Sequence, residues 1–171
     1  GKIINKVSRP VNKAWDPAEL CRQSAQLAQQ AAEVGGFAAD RIKAVGLGLP
    51  GLVDNKTGYV IQTPNMPFDN TPIREMFQAE WDVPVYLGND ANCAALAETV
   101  AGAAVGCRNM VLITLGTGVG GGIIIDGKIY GGFNFAGAEL GHTVIMVDGE
   151  LCTCGRFGCW EAYASATALI N

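Results

Sequence analysis

The sequence predicts a mixed α/β protein, and three observations support this fold class. Helical patterns alternate with short apolar strands over residues 16–101, and two strands joined by an Asp-Gly turn follow. The 171 residues, 49% of them hydrophobic, can bury one substantial core or two small lobes. A net charge of -4 without a run of Lys or Arg argues against a nucleic-acid partner.

The first predicted element is a helix that begins after Asp16. This residue is the expected N-cap, Pro17 suits the first helical position, and Glu19 completes a capping box. The pair at 35–36 is Gly-Gly, which ends the helical pattern. The later predicted elements are a strand at 41–49, a turn at 54–58, a strand at 59–61, a helix opened by 71–72, a strand at 84–87, an Ala-rich helix at 91–101, a strand at 110–115, a glycine loop at 116–122, a β-rich segment at 123–130 with a turn at 126–127, and a helix at 162–170.

The pattern changes at residues 102–108, and we expect a boundary between two lobes there. Residues 1–105 then belong to an amino-terminal lobe, and residues 106–171 begin a carboxyl-terminal lobe. Because the chain begins with Gly and ends within a helical pattern, we expect it to be a fragment in which both lobes are incomplete. No apolar stretch reaches the roughly 20 residues that cross a bilayer, so no membrane partner is expected. Residues 1–10 lack the apolar core of a signal peptide, which favours a cytoplasmic protein.

Three of the six cysteines lie close together, at Cys152, Cys154 and Cys159. Three thiolates need one more ligand to bind tetrahedral zinc, and the only histidine, His142, is available upstream. The glycines among these cysteines permit tight turns that bring the sulfurs together. The alternative interpretation is three unrelated cysteines in a loop, one of them in a disulfide bond. The other three cysteines lie alone in apolar or helical surroundings and are predicted to be small buried hydrophobes: Cys21, Cys93 and Cys107.

Candidate ligand-binding side chains follow a strand and flank the cysteine cluster. Asp90 lies where a strand meets a helix, so it can accept a proton from a bound hydroxyl, and Asn89 can bond a polar ligand. The alternative role of this pair is to cap the helix. Glu139 precedes His142 by three positions and can share one helical face with it, and Glu161 follows the cysteines. A bound metal can position both glutamates, and the alternative is that they are solvated surface carboxylates.

Two segments match the pattern G-x-G-x-x-G, at residues 46–51 and 116–121. Neither opens a predicted helix, so the dinucleotide-binding interpretation fails. The Gly-Thr-Gly at 116–118 can still present backbone N–H groups to phosphates, although a flexible hairpin turn is an equal alternative.

Together, four segments resemble the ROK family, which groups sugar kinases with sugar-responsive repressors. Their order and spacing agree with the family over residues 45–161, and the Cys motif followed by Glu is the most specific part. The resemblance implies an actin-like ATPase fold, also called ribonuclease H-like, in two lobes, so the lobe at 1–105 is part of a sugar-kinase lobe. The segments are residues 87–92, 115–122, 138–142 and 152–161.

The resemblance also implies the roles of individual residues. Asp90 becomes the base that takes a proton from the sugar hydroxyl during attack on the γ-phosphate of MgATP. The implied cofactors are structural Zn²⁺, ATP and Mg²⁺. The implied sugar-binding residues are Gly51, Asn89, Asp90, Glu139, His142 and Glu161, the phosphate-loop residues are Gly116, Thr117 and Gly118, and the zinc ligands are His142, Cys152, Cys154 and Cys159.

The implied activity is phosphorylation of a hexose, glucose before others, by a homo-oligomer that is a dimer or a tetramer. Two alternatives stay open: the sugar-sensing domain of a ROK repressor, and a ROK kinase for fructose or an N-acetylhexosamine. Kinases of the family begin with an Asp-x-Gly-Gly-Thr phosphate loop, which this sequence lacks. The family's carboxyl half, which completes the adenosine site, is also missing, so we expect the chain by itself to be inactive.

Overall fold

The computed structural model describes residues 2–12, 14–64 and 66–170. The chain divides into two compact units, Gly1–Asn89 and Asp90–Asn171. These units are defined by contacts within this chain, and they do not test the division of the whole protein into lobes. The lobe boundary expected at residues 102–108 therefore stays a prediction.

The first unit begins with the predicted helix, α1, over Pro17–Val34. The carboxylate of Asp16 accepts a hydrogen bond of 2.8 Å from the N–H of Glu19, which confirms Asp16 as the N-cap. The side chain of Glu19 accepts a hydrogen bond from Gln23 within the helix, 2.7 Å long. The helix ends at Gly35, as the Gly-Gly pair indicates.

Five strands and a second helix complete the first unit. The predicted strand at 41–49 begins only at residue 45, because Ala39–Arg41 form a 3₁₀ turn. Two three-residue strands were not predicted, since three residues are too short to show a hydrophobic period. The elements are β1 at Val45–Leu49, β2 at Leu52–Asp54, β3 at Tyr59–Gln62, β4 at Asp69–Thr71, α2 at Ile73–Glu80 and β5 at Val85–Asn89.

Pairing in the first unit forms two small sheets. Strands β1 and β5 are parallel, with Val45 opposite Val85, and β2, β3 and β4 form an antiparallel sheet. One buried cluster joins both helices to these strands, and its members include Val60, Ile73 and Phe77, each exposed by 2% or less. Burial of such side chains stabilises each by about 1.5–3 kcal/mol. This core holds the carboxyl end of β5, where Asn89 lies.

The second unit contains a three-stranded antiparallel sheet with the order β6-β7-β8. The turn between β7 and β8 has φ values of 50° at Asp126 and 75° at Gly127, which confirms the predicted Asp-Gly hairpin. The elements are α3 at Asp90–Ala101, β6 at Met110–Leu115, β7 at Val119–Ile125, β8 at Lys128–Ile129, a 3₁₀ turn at Leu140–His142, α4 at Glu161–Ala164 and α5 at Ala166–Ile170.

Two sequence predictions for the second unit were wrong in extent. The glycine loop predicted over 116–122 is shorter, because strand β7 already begins at Val119. The single helix predicted over 162–170 is two short helices, separated at Ser165, whose ψ of 157° is extended. In the part of the chain that the structure describes, no helix is long and apolar enough to cross a membrane.

Candidate functional site

The histidine and the three clustered cysteines converge in the second unit. Their ligand atoms all lie within 4.8 Å of one another, with 3.6 Å between His142 Nδ1 and Cys152 Sγ and 3.7 Å between the sulfurs of Cys154 and Cys159. Zinc bound at about 2.3 Å to sulfur and 2.0–2.1 Å to nitrogen separates tetrahedral ligand atoms by about 3.5–3.8 Å. The donor set and its spacing therefore fit a tetrahedral metal ion.

All six cysteines are free thiols, so no disulfide bond competes with this cluster. Of the three isolated cysteines, Cys21 is buried as predicted, but the predicted burial of Cys93 and Cys107 was wrong, since both are exposed. A short hairpin presents the sulfurs: the N–H of Cys152 donates to the carbonyl of Arg156 at 2.8 Å. Gly158 has a φ of 78°, and a Cβ there would lie 1.6 Å from a backbone oxygen. Only glycine fits at this position, which explains one of the glycines among the cysteines.

Arg156 stabilises the cluster electrostatically. Burial raises the pKa of the Cys154 thiol, but hydrogen bonds with Arg156 and with the neighbouring cysteines outweigh this effect and lower the pKa to about 6. The guanidinium of Arg156 also donates to the carbonyl of His142 at 2.9 Å. By contrast, burial and its hydrogen bonds to the other two thiols raise the pKa of Cys159 to about 11. A cation among the sulfurs favours the thiolate form of every one of them.

Of the candidate sugar-binding residues, Gly51 and Asn89 belong to the first unit and the other four to the second. In the first unit, the side-chain amide of Asn89 donates to the carbonyl of Gly51 at 3.1 Å. Gly51 has a φ of 84°, and a Cβ there would lie 2.1 Å from the carbonyl oxygen of Gln62, so this position requires glycine. In the second unit, Asp90 is the exposed first residue of α3, and its carboxylate accepts from the N–H of Ala91 at 2.8 Å.

Acidic groups of the second unit surround Glu139. Desolvation raises the pKa of its carboxyl, the nearby His142 lowers it, and the carboxylates of Asp90 and Glu161 raise it further. Three other predicted sugar-binding residues thus lie close enough to influence the carboxyl of Glu139. Glu139 and His142 are joined by a 3₁₀ turn, in which the N–H of His142 donates to the carbonyl of Glu139 at 3.1 Å.

Glu161 is not a solvated surface carboxylate. Its Oε2 accepts from the backbone N–H of Val119 at 2.9 Å, and its Oε1 accepts from the hydroxyl of Thr153 at 3.0 Å. Thr153 lies between two of the clustered cysteines, and Val119 directly follows the Gly-Thr-Gly loop. The carboxylate therefore connects the cysteine hairpin to that loop.

The Gly-Thr-Gly loop is a tight three-residue connection between β6 and β7. The N–H of Gly116 donates to the carbonyl of Gly118 at 2.9 Å. The segment that contains α5 contacts the loop backbone, with 2.8 Å from Ala166 N to Gly116 O and 2.9 Å from the Thr167 hydroxyl to Thr117 O. The loop is therefore held in place, which argues against a freely flexible hairpin turn.

Strand β7 contains three consecutive glycines whose structural role the sequence reasoning missed. A Cβ on Gly122 would lie 2.5 Å from the Cβ of Ala95 in α3, and a Cβ on Gly121 would lie 2.6 Å from the carbonyl oxygen of Ala138 on the other face. The glycines therefore let α3 and the segment before His142 pack closely against opposite faces of one strand. The spacing of small residues in α3 is the signal that could have revealed this packing, since Ala91 and Ala95 lie on one helical face.

A cavity of about 490 Å³ lies in the second unit beside the loop. It is partly open to solvent, and the exposed Thr117 belongs to its lining. Its lining is mixed, because two acidic side chains and several hydroxyl groups lie among apolar atoms. The lining residues are Thr117, Glu150, Leu151, Cys152, Thr153, Glu161, Ala162, Ser165, Thr167 and Ala168.

Comparison with known proteins identifies relatives of two kinds. Residues 13–171 match the ROK family. A glucokinase of Halalkalibacterium halodurans is 39% identical over 170 residues, which cover 99% of this chain and 52% of the relative. A xylose repressor of Caldicellulosiruptor bescii is 39% identical over 131 residues, which cover 76% of this chain and 33% of the relative. The chain therefore spans about half the length, or less, of these curated relatives.

Solved structures of ROK proteins also superimpose on this chain. A ROK hexokinase from Thermus thermophilus superimposes with a TM-score of 0.81 at 36% identity, covering 98% of this chain and 55% of that chain. A ROK glucokinase from Streptomyces griseus, solved with glucose and AMPPNP, superimposes with a TM-score of 0.78 at 39% identity, covering 89% of this chain and 47% of that chain. The predicted α/β class and the actin-like ATPase fold are thus confirmed.

Proposed function

The chain belongs to the ROK family, and we propose that the whole protein transfers the γ-phosphate of ATP to a hydroxyl of a hexose, with glucose as the preferred substrate. The glucokinase relative and the glucokinase solved with glucose and AMPPNP support this proposal. The observation that carries it is the exposed carboxylate of Asp90, which lies close enough to Glu139 to raise the pKa of that residue together with Glu161. A ring of carboxylates and one imidazole suits a substrate that consists of hydroxyl groups.

Asp90 acts as the general base in this proposal. It accepts the proton of the attacking sugar hydroxyl as that oxygen bonds to the γ-phosphorus of ATP and ADP leaves. A carboxylate at the exposed start of a helix is accessible to a bound sugar, whereas a deeply buried carboxylate is not. The backbone N–H of Ala91 donates to this carboxylate at 2.8 Å and orients it.

The remaining site residues bind and orient the two substrates. Gly51, Asn89, Glu139, His142 and Glu161 are proposed to bind sugar hydroxyls. Residues 116–118 are proposed to hold phosphates of MgATP through backbone N–H groups and the Thr hydroxyl. Mg²⁺ neutralises charge that develops on the phosphates.

Zinc is the proposed occupant of the cluster formed by His142, Cys152, Cys154 and Cys159. Four protein ligands leave no open position for substrate, so the metal supplies structure rather than chemistry. Since Nδ1 of His142 faces Cys152 at 3.6 Å, the other ring nitrogen carries the proton when the metal is bound and can donate to a sugar hydroxyl. Reduced thiols are typical of the cytoplasm, where we place the protein.

The whole protein is proposed to be a homo-oligomer, a dimer or a tetramer as is common in the family. Its proposed partners are its substrates rather than nucleic acid or membranes. The net charge of -4 supports the exclusion of nucleic acid, because broad attraction to phosphate backbones needs a basic surface.

The direct test is an ADP-release assay on the full-length gene product with ATP and a panel of hexoses. The panel contains glucose, fructose, N-acetylglucosamine and N-acetylmannosamine, with a sugar-free reaction as the control for background ATP hydrolysis. Sugar-dependent ADP release that is fastest with glucose supports the proposal. Release with another hexose alone keeps the mechanism and changes the substrate.

A sugar-sensing regulator is the second candidate, and the 39% identity to a xylose repressor favours it. A regulator needs the sugar-binding residues but not the transfer of phosphate. It therefore binds a sugar, measured by calorimetry, without releasing ADP in the presence of ATP. That result in folded, metal-loaded protein would replace the kinase proposal with this one.

A further inference from the structure

We propose that Thr167 is a positioning residue for nucleotide binding, because its hydroxyl fixes the backbone of the loop at 116–118 in a conformation ready for phosphate. The inference rests on the proposed function, in which that loop binds ATP. The contact itself joins residues fifty positions apart, with 2.9 Å between the Thr167 hydroxyl and the carbonyl oxygen of Thr117. Neither residue belongs to the proposed sugar site or to the metal cluster.

The break between α4 and α5 explains how this contact forms. In a continuous helix, the N–H of Ala166 would bond the carbonyl four residues earlier. The extended conformation at Ser165 ends α4, so the N–H of Ala166 instead donates to the carbonyl of Gly116 at 2.8 Å. The Ser165 side chain is 3% exposed and accepts from the N–H of Ala168 at 3.1 Å, which caps α5. The break therefore turns the start of α5 toward the loop.

A third contact holds the other end of the loop. Glu161 accepts from the N–H of Val119, the residue after the loop, at 2.9 Å. Residues 161–167 thus contact the loop backbone at three points, and this segment follows the metal ligand Cys159 almost directly. We call residues 161–167 the loop brace.

A fixed loop binds phosphate better than a mobile one. Phosphate recognition by backbone N–H groups depends on their orientation, which changes with any rotation of the adjoining carbonyls. A loop that is already ordered does not lose conformational entropy when the nucleotide binds. Loss of the Thr167 contact is therefore expected to weaken nucleotide binding while leaving sugar binding unchanged.

Thr167→Val removes the hydroxyl at nearly constant shape, and Thr167→Ser keeps a hydroxyl. The side chain is exposed, so both variants are expected to fold. Thr99→Val is the matched control, because the Thr99 hydroxyl donates to the carbonyl of Leu96 at 2.8 Å and has no part in the loop. The measurements on the full-length protein are the Kd of Mg·AMPPNP and the Kd of glucose by calorimetry, and the KM of ATP against kcat.

Loss of one such hydrogen bond is expected to raise the Kd of Mg·AMPPNP and the KM of ATP roughly twofold to tenfold in Thr167→Val. The Kd of glucose in Thr167→Val is expected to equal the wild-type value. Thr167→Ser and Thr99→Val are expected to bind both Mg·AMPPNP and glucose with wild-type affinity. Equal nucleotide affinity in Thr167→Val and Thr99→Val would overturn the inference. A parallel loss of glucose affinity would also overturn it, since that result indicates a general structural role.

Hydrogen exchange of the backbone amides at 116–119 tests the brace without any ligand. Exchange in these residues is expected to be faster in Thr167→Val than in Thr99→Val, and equal rates would overturn the brace. If the wild-type protein does not bind Mg·AMPPNP, the proposed function fails, and the positioning role fails with it even when the exchange rates differ. Failure of the proposed function thus appears as absent binding of Mg·AMPPNP by the wild-type protein. Failure of the positioning role alone appears as equal nucleotide affinity in Thr167→Val and Thr99→Val.

Discussion

Gly122→Ala tests the finding that the glycines of β7 are packing positions rather than loop residues. A Cβ at this position would lie 2.5 Å from the Cβ of Ala95 and 2.9 Å from the carbonyl oxygen of Ala91. Carbon atoms in favourable contact are separated by about 3.5–4.0 Å, so the overlap with Ala95 alone is about 1 Å or more. Helix α3 must move away from the strand to accept the methyl group. Overpacking of this kind typically costs about 1–3 kcal/mol.

Gly46→Ala is the matched control, because Gly46 also lies in a strand but a Cβ there meets no atom within 4 Å. A destabilisation of 1–3 kcal/mol lowers the midpoint of thermal unfolding by about 2–12 °C in a chain of this size. Circular dichroism or calorimetry measures this midpoint in both variants. Gly122→Ala is expected to melt lower than the wild type, and Gly46→Ala within about 2 °C of it. Equal midpoints for the two variants would refute the packing explanation.

Three further predictions use the same structure. Cys154→Ser is expected to lose most of its bound zinc, measured by elemental analysis, and then sugar affinity; wild-type sugar affinity after metal loss would contradict the role of zinc in organising the site. Alkylation at pH 8, followed by mass spectrometry, is expected to modify exposed Cys107 well before Cys21, because burial raises the pKa of the Cys21 thiol to about 11. Equal rates of alkylation at the two cysteines would contradict the burial of Cys21. Gly51→Ala is expected to lower the free energy of unfolding in urea more than Gly36→Ala does. Both glycines have a positive φ, but only Gly51 has a backbone atom within 4 Å of the added Cβ. Equal losses of unfolding free energy would contradict the steric role of Gln62 at Gly51, because backbone strain alone would then explain both variants.

Local sequence signals predicted most of the regular elements. The N-cap at Asp16, the Gly-Gly helix end and the Asp-Gly hairpin each depend on neighbouring residues alone, and each is present in the structure. The strands at 52–54 and 69–71 were missed because pairing with β3, and not their own sequence, makes them strands. Tertiary contacts decide such short elements.

The candidate site was predictable where chemistry dictates spacing. Tetrahedral coordination requires four donor atoms close together, and the structure brings the one histidine and the three clustered cysteines together. Close packing could not be read from the sequence in the same way. The run of glycines at 120–122 resembles a flexible loop until the approach of α3 is known, and the break at Ser165 depends on a partner loop fifty residues earlier.

The central claim is that Asp90 is the base of a hexose kinase, and Asp90→Asn in the full-length protein tests it most directly. An asparagine oxygen can still accept from the N–H of Ala91, so the start of α3 is expected to keep its structure. The ADP-release assay with glucose is expected to show kcat reduced by about 10²–10⁴-fold, with the glucose Kd close to that of the wild type. Turnover retained at the wild-type rate in Asp90→Asn would contradict the assignment of Asp90 as the base.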